Sequence, residues 1–196
     1  MTKEELISYE QGIAALFNDG AIRHPVHLAG GNEDQLIDIF SRINPQDWVF
    51  GQWRMHYHCL LKGVPPERLT AAIMQGRSIA LCFPEYRIFS SAILGGHLPI
   101  ALGVAMGIKR SGGDEKVWCF MGDMAQEGGA AYECVKYAES FSLPVEWVIE
   151  DNGLSVCTET GEVWGTFGPA LEGENVTYYA YKLPWPHAGA GKRVQF

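Results

Sequence analysis

The chain has 196 residues, of which 47% are hydrophobic and 19% charged, and it carries a net charge of −8. This length and composition predict one domain with a sizeable core, covering residues 1–196. The negative charge argues against nucleic acid as the main partner. No apolar run is long enough to span a bilayer, and we expect no signal peptide, so the sequence predicts a cytoplasmic protein without a membrane partner.

Cysteine usage points to the same compartment. The five cysteines are odd in number, have no Cys-x-x-Cys spacing and lie mostly in apolar runs. This pattern predicts reduced, buried thiols instead of disulfides.

The first predicted element is a helix over residues 2–17, because Thr2-x-x-Glu5 forms a capping box before a run with helical apolar spacing. A loop carrying His27 follows. Asn32 is predicted to cap a second helix.

The middle of the chain mixes short elements. Residues 47–51 have the composition of a strand, and the polar and aromatic residues 52–58 follow them. Prolines near the starts of two apolar-periodic runs predict helices over residues 66–75 and 99–109. Residues 76–91 are predicted to be irregular.

A strand–helix–strand unit forms the centre of the predicted fold. Residues 117–121 and 145–149 are continuous apolar runs typical of buried parallel strands, and residues 127–141 have helical periodicity. A right-handed crossover places the carboxyl ends of two such strands at one edge of the sheet. Asp123 follows the first strand and Asn152 the second, so a carboxylate and a carboxamide are expected to converge.

These two side chains suit a hard divalent cation. Magnesium prefers oxygen ligands and keeps coordination sites for phosphates and water. Asp123 would supply charge, Asn152 a neutral oxygen, and Leu154 a backbone carbonyl. The helix that starts near Glu127 points its unpaired amides at the same crevice, which favours a phosphate. The sequence therefore predicts a magnesium–diphosphate site, the alternative being an ordinary strand–helix–strand unit with turn residues at its edge.

The arrangement of Gly122-Asp123, a helix and then Asn152 resembles the diphosphate-binding signature of thiamine diphosphate enzymes. The similarity is greatest to the alpha subunit of 2-oxo acid dehydrogenases, with transketolase next. It implies an α/β three-layer sandwich with a mainly parallel sheet, with thiamine diphosphate and Mg²⁺ as cofactors. The metal ligands it implies are Asp123, Asn152 and the Leu154 carbonyl.

Two residues of this signature depart from the family pattern. Met124 stands where the family usually has glycine, and Asp151 where it often has asparagine. The resemblance still implies that Gly122, Met124 and Ala125 border the diphosphate.

Two further segments resemble the same family. Residues 27–33, His-Leu-Ala-Gly-Gly-Asn-Glu, match its His-Leu-x-x-Gly-Gln-Glu, which implies that His27 lines the cofactor or substrate channel. Residues 53–56 match its Tyr-Arg-x-His, with tryptophan in place of tyrosine. This match implies that Trp53 and Arg54 contact the cofactor, that Arg54 binds the diphosphate, and that His56 lines the active site. Structural roles for both histidines and a surface ion pair for Arg54 are the alternatives.

A fourth segment, residues 92–99, resembles the family's Gly-Ile-Val-Gly-x-Gln-x-Pro. It implies that Ala92 and Leu94 contact the aminopyrimidine ring through main-chain atoms, while His97 replaces glutamine. The family's glycine-rich loop is shortened here to residues 76–91. We expect its C-terminal region with a histidine-bearing loop to be missing, and His187 is a candidate substitute for that histidine.

In this superfamily the glutamate that activates the cofactor lies on a second, pyrimidine-binding domain. We expect no such second domain in these 196 residues, so the resemblance implies a separate beta-type partner and a homo- or hetero-oligomer. The expected reaction cleaves a bond next to a carbonyl and transfers an acyl or ketol fragment from a 2-oxo acid or ketose. A non-catalytic module that stabilises or regulates a partner is the alternative. A nucleotide-binding protein is not favoured, because no Gly-x-Gly-x-x-Gly follows a strand.

Overall fold

A computed structural model describes residues 1–165 and 168–191. The helices are α1 (Lys3–Asn18), α2 (Glu33–Phe40), α3 (His56–Leu61), α4 (Pro66–Met74), α5 (Leu98–Ser111), α6 (Asp123–Gln126), α7 (Gly129–Ser140) and α8 (Thr160–Trp164). The strands are β1 (Trp48–Gly51), β2 (Cys82–Phe83), β3 (Ile88–Ser90), β4 (Val117–Gly122), β5 (Val145–Asp151), β6 (Leu154–Ser155), β7 (Thr158–Glu159) and β8 (Val176–Ala180).

Internal contacts divide the chain into two compact units. Unit 1 comprises Met1–Ile43, Trp53–Ser90 and Lys182–Phe196, and unit 2 comprises Asn44–Gln52 and Ser91–Tyr181. The expectation of one domain over residues 1–196 stays a prediction.

Unit 2 contains a parallel sheet in which β4 and β5 are central. Strands β1, β4, β5 and β8 are neighbours in that order, and each of the three pairings is parallel. The first five residues of β4 are buried, as expected for a strand covered on both faces. Helix α5 packs on β4 and β5 and also contacts α7. These pairings confirm the α/β class with a mainly parallel sheet.

Unit 1 is mainly helical. Helices α1, α2 and α3 pack on one another, and α4 packs on α3, around buried side chains that include Leu6, Phe17 and Leu36. The predicted capping box is present at Thr2, whose side chain accepts from the backbone of Glu5. Strands β2 and β3 form an antiparallel hairpin, so the prediction that residues 76–91 are irregular was wrong. Strands this short leave little periodicity to detect.

Several local details near the ends of elements differ from prediction. The helix expected from Glu127 starts at Gly129, after the separate turn α6, because Gly128 is extended and interrupts the helix. Asp151 is the last residue of β5 instead of following it. Asn32 precedes α2 but makes no side-chain capping hydrogen bond.

All five cysteines are free, and Cys59, Cys119 and Cys134 are buried as predicted, whereas Cys82 and Cys157 are exposed. Within the described residues, none of the helices has both the length and the apolar character needed to cross a bilayer.

Candidate functional site

Two carboxylates lie side by side where β4 and β5 end. The parallel register pairs Gly122 with Glu150, which places the next residues, Asp123 and Asp151, at the same level of the sheet. Asp123 is only 4% exposed. Burial raises the pKa of Asp123 above its ordinary value, and the negative charge of Asp151 raises it further. Negative charge is therefore held here in a position that a cation would stabilise.

Hydrogen bonds fix both carboxylates in place. The Thr160 hydroxyl donates to Oδ2 of Asp123. Oδ1 of Asp151 accepts from the backbone N–H of Gly153 at 2.7 Å, and its Oδ2 accepts from the Tyr178 hydroxyl. Each carboxylate keeps free lone pairs, since an ionised carboxylate can accept about four hydrogen bonds.

The other two predicted metal ligands lie in the turn that follows β5. Oδ1 of Asn152 accepts from the backbone N–H of Leu154 at 3.0 Å, and Gly153 between them has φ +73°. The amide oxygen has a second lone pair and can still act as a ligand. Among the described residues, no group of three or more His, Cys, Asp or Glu side chains could hold a metal. The predicted set contains one such side chain together with an amide and a carbonyl oxygen.

A small cavity lies beside Asp123 and Asp151, and Asn152 and Leu154 are not among its lining residues. Its volume is ≈ 10 Å³, and Asp123, Asp151, Gly153 and Thr160 are among the residues that line it. This volume is close to the smallest that holds one water-sized body. The space therefore suits a single ion or water molecule.

Gln52 is a functional candidate that the sequence did not single out. Its Oε1 accepts from the backbone N–H of Gly122 at 2.9 Å. Its Nε2 is buried and has no hydrogen-bond partner among the described residues. Buried donors without acceptors are uncommon, so this amide is available to an anion beside Gly122. Its place directly before Trp53-Arg54 is the signal that would have identified it.

The departure at Met124 is accommodated by the backbone. Met124 lies in the single turn α6 and is not among the residues with positive φ, so glycine is not required there. Its Sδ accepts from the indole N–H of Trp164 at 3.1 Å, which ties α8 to the turn after β4. Ala125 follows it in the same turn and is buried.

The loop before α5 presents apolar side chains to solvent. Ile93 is 71% and Leu94 51% exposed, and Ala92 is also exposed. His97, in contrast, is fully buried, with Nε2 lying 2.8 Å from the Phe120 carbonyl. Burial lowers the pKa of His97 to about 4, so a neutral ring connects α5 to β4.

In unit 1 the structure groups His27, Trp53, Arg54 and His187. The Nε2 atoms of His27 and His187 are 3.2 Å apart, so one ring donates to the other. The Trp53 ring centroid lies 5.8 Å from that of His27. Burial, aided by the Arg54 cation and His187, lowers the pKa of His27 to about 3. Burial, aided by Arg54, also lowers the pKa of His187, so the surroundings favour the neutral form of both rings.

Arg54 anchors two backbone segments of the same unit. Its guanidinium donates to the Leu28 carbonyl at 3.0 Å and to the His187 carbonyl at 3.4 Å. A Cβ atom at Gly31, where φ is +86°, would lie 2.1 Å from the Lys182 carbonyl oxygen. Glycine is needed there for residues 182–187 to approach the loop of residues 23–31, which we call the His27 loop.

His56 is fully buried in unit 1 and contacts Glu10 and Ser78. These contacts favour a positioning role over the predicted role lining the active site, which stays a prediction.

Comparison with known proteins supplies the family. The family model described as "Dehydrogenase E1 component" matches residues 2–166. The chain belongs to the dehydrogenase E1 component family. This confirms the resemblance read from the His27, Arg54 and Asp123 segments. Strand β8 and His187 lie beyond the matched region.

Similar members of the E1 family are named as alpha subunits. The alpha subunit of acetoin:2,6-dichlorophenolindophenol oxidoreductase from Cupriavidus necator is 30% identical over 160 residues, covering 76% of this chain and 48% of the relative. Its Bacillus subtilis counterpart is 27% identical, covering 79% and 49%. The pyruvate dehydrogenase E1 component subunit alpha of Rickettsia felis is 28% identical, covering 88% and 63%. The chain thus spans about half to two thirds of the length of these E1 relatives.

Proposed function

We propose that this E1-family chain is the diphosphate- and magnesium-binding, alpha-type subunit of a thiamine diphosphate enzyme that is active only with a partner chain. The observation that carries the proposal is the pair Asp123 and Asp151 at the ends of adjacent parallel strands, within the region that matches the E1 family model. When bound, thiamine diphosphate supplies the chemistry that cleaves a bond next to a carbonyl.

The cation is assigned to Asp123, Asn152 and the Leu154 carbonyl. The buried Asp123 carboxylate, close to the charge of Asp151, is costly to hold ionised without a counter-ion. A divalent cation removes that cost, and the donors available are all oxygen atoms, which Mg²⁺ prefers. In this assignment Asp151 is not a ligand but fixes the turn through Gly153.

The diphosphate is assigned to the turn after β4. The unpaired Nε2 of Gln52 beside Gly122 is a donor that a phosphate oxygen would satisfy. The main chain at Gly122, Met124 and Ala125 borders the same position. The family motifs, and not the geometry of either unit, assign Trp53 and Arg54 to the diphosphate and Ala92 and Leu94 to the aminopyrimidine.

His27 is proposed as the catalytic histidine. When Nε2–H of its neutral ring donates to Nε2 of His187, Nδ1 keeps its lone pair and can accept a proton; this atom is buried and has no hydrogen-bond partner among the described residues. The hydrogen bond to His187 fixes which nitrogen of His27 carries the hydrogen, and a lone surface histidine would lack this.

The partner is proposed to be a beta-type subunit that supplies the glutamate activating the aminopyrimidine. Relatives named for pyruvate and acetoin favour a small 2-oxo acid or ketol as substrate, with acyl transfer to an acceptor. A transketolase-like transfer from a ketose is the second variant of the same chemistry.

Hydrogen–deuterium exchange at the thiazolium C2 of thiamine diphosphate, followed by NMR, tests the need for a partner. The chain alone should leave exchange at the rate of free cofactor, and addition of a beta-type E1 subunit should accelerate it. Rapid exchange with the chain alone would show that it carries its own activating carboxylate. Complex formation without acceleration would instead support the non-catalytic, partner-stabilising alternative.

A further inference from the structure

Three buried polar side chains form a continuous hydrogen-bonded series in unit 1. Oε1 of Glu10, on α1, lies 2.8 Å from Nδ1 of His56 on α3. Nε2 of His56 lies 2.9 Å from Oγ of Ser78. All three residues are at most 1% exposed. We call this series the Glu10–His56–Ser78 relay.

The order of groups in the relay matches that of a hydrolytic triad, but burial excludes that chemistry. A nucleophilic serine must reach a substrate carbonyl, and Ser78 is fully buried. A carboxylate and an imidazole are costly to bury, so their retention calls for another account. A further hydrogen bond to Glu10 explains why these polar groups are buried here.

Oε1 of Glu10 also accepts from the backbone N–H of Ala29 at 2.7 Å. The carbonyl of Ala29 accepts from the Trp185 indole N–H at 2.9 Å. Both backbone groups of Ala29 are therefore held by side chains remote in sequence. The adjacent residue, Leu28, is held through its carbonyl by Arg54, and His27 precedes it.

We propose that the Glu10–His56–Ser78 relay is a positioning device that fixes Ala29, and through it the His27 loop and the Arg54 guanidinium. His56 donates from Nδ1 to Glu10, which holds the carboxylate in the rotamer that also receives Ala29. Ser78 fixes the imidazole from its other side. His56 is thus a positioning residue, and its effect on cofactor binding rests on the proposed function.

Two substitutions at His56 separate the two ends of the relay. The amide nitrogen of His56→Asn lies near the original Nδ1 and can still donate to Glu10. The amide of His56→Gln extends toward the original Nε2 and can reach Ser78 but no longer binds Glu10 in the same geometry. His58→Gln is the matched control, because His58 lies on the same helix, is equally buried and packs edge-on against Phe40.

Amide hydrogen exchange of the full chain measures directly how firmly the Ala29 N–H is held by Glu10. In His56→Gln the Ala29 amide should exchange about tenfold or more faster, while His56→Asn and His58→Gln should stay within about twofold of the parent. Rates are compared with amides of β5 in each variant, so a uniform loss of stability is recognised. Equal Ala29 protection in His56→Gln and the parent, or equal loss in His56→Gln and His58→Gln, would overturn the proposal.

Thiamine diphosphate affinity, measured on the same variants by calorimetry, separates this inference from the proposed function. Faster Ala29 exchange with about tenfold weaker binding in His56→Gln supports both. Faster exchange with unchanged binding supports the relay as a positioning device for Ala29 but shows that the His27 loop does not contact the cofactor, which contradicts that part of the proposed function.

Discussion

The hydroxyl of Thr160 donates a hydrogen bond to Oδ2 of Asp123, so the first residue of α8 holds the carboxylate that follows β4. Four residues on, Trp164 donates to Sδ of Met124, which follows Asp123. Residues separated by four positions lie on the same face of a helix. One short helix therefore contacts two residues, Asp123 and Met124, of the turn to which the cofactor is assigned.

Removing the Thr160 hydroxyl should weaken cation binding. Its hydrogen bond lowers the pKa of Asp123 against the raising effect of burial. Thr160→Val should therefore raise that pKa further and leave the carboxylate free to rotate. We expect Mg²⁺ affinity in the presence of thiamine diphosphate to fall about tenfold, as for loss of a hydrogen bond to a charged group, with a steeper loss as the pH is lowered.

Thr160→Ser keeps the hydroxyl and should bind like the parent. Equal affinities for the Val and Ser variants would show that the hydroxyl does not orient Asp123.

Asp123 should reduce the stability of the cofactor-free chain at neutral pH. Its folded-state pKa is raised by burial and by Asp151, so the stability that it contributes is present below its unfolded pKa and is lost as the pH rises through its folded pKa. Asp123→Asn should therefore raise the Tm of the cofactor-free chain at pH 7, and this gain should disappear near pH 3. Thermal unfolding followed by circular dichroism measures both. The exposed Asp114→Asn is the control, and a lower Tm for Asp123→Asn at pH 7 would contradict the expected sign.

Arg54→Lys should weaken diphosphate binding while preserving charge. A lysine ammonium cannot reproduce the planar fork that reaches the Leu28 and His187 carbonyls and that suits a phosphate. The expected loss is about tenfold in thiamine diphosphate affinity, or about 1.4 kcal/mol. Arg42→Lys, at an exposed ion pair with Asp38, provides the same substitution away from the site. If both variants bind the cofactor equally well, Arg54 does not contact the phosphate.

The sequence predicted the parallel centre of the fold because its signals are long and local. Apolar runs at β4 and β5 are uninterrupted, and the capping box at Thr2 is formed by residues three apart. Asp123 and Asn152 are expected to converge because parallel strands end at the same edge; this stays a prediction, while the register brings Asp151 level with Asp123. The short elements β2, β3 and α8 escaped prediction, since two to five residues carry no usable periodicity.

Long-range side-chain contacts also escaped prediction. Thr160 meets Asp123, and Glu10 meets Ala29, through packing between elements that no local pattern connects. His56 lies in a motif that can be recognised from the sequence, but its side-chain contacts cannot be predicted from that motif. Its motif predicts an active-site position, which stays a prediction, and its contacts with Glu10 and Ser78 arise from packing that the motif does not encode.

The most direct test of the central claim is calorimetric titration of thiamine diphosphate into the chain, with Mg²⁺ and then with EDTA. For the parent chain we predict saturable cofactor binding in Mg²⁺ and loss of that binding in EDTA. The Asp123→Asn variant should not bind the cofactor with either Mg²⁺ or EDTA, whereas Asp114→Asn should bind it like the parent. Absence of binding in Mg²⁺ at millimolar cofactor, or binding that is unchanged by EDTA and by Asp123→Asn, would contradict the assignment of a magnesium–diphosphate site to this chain.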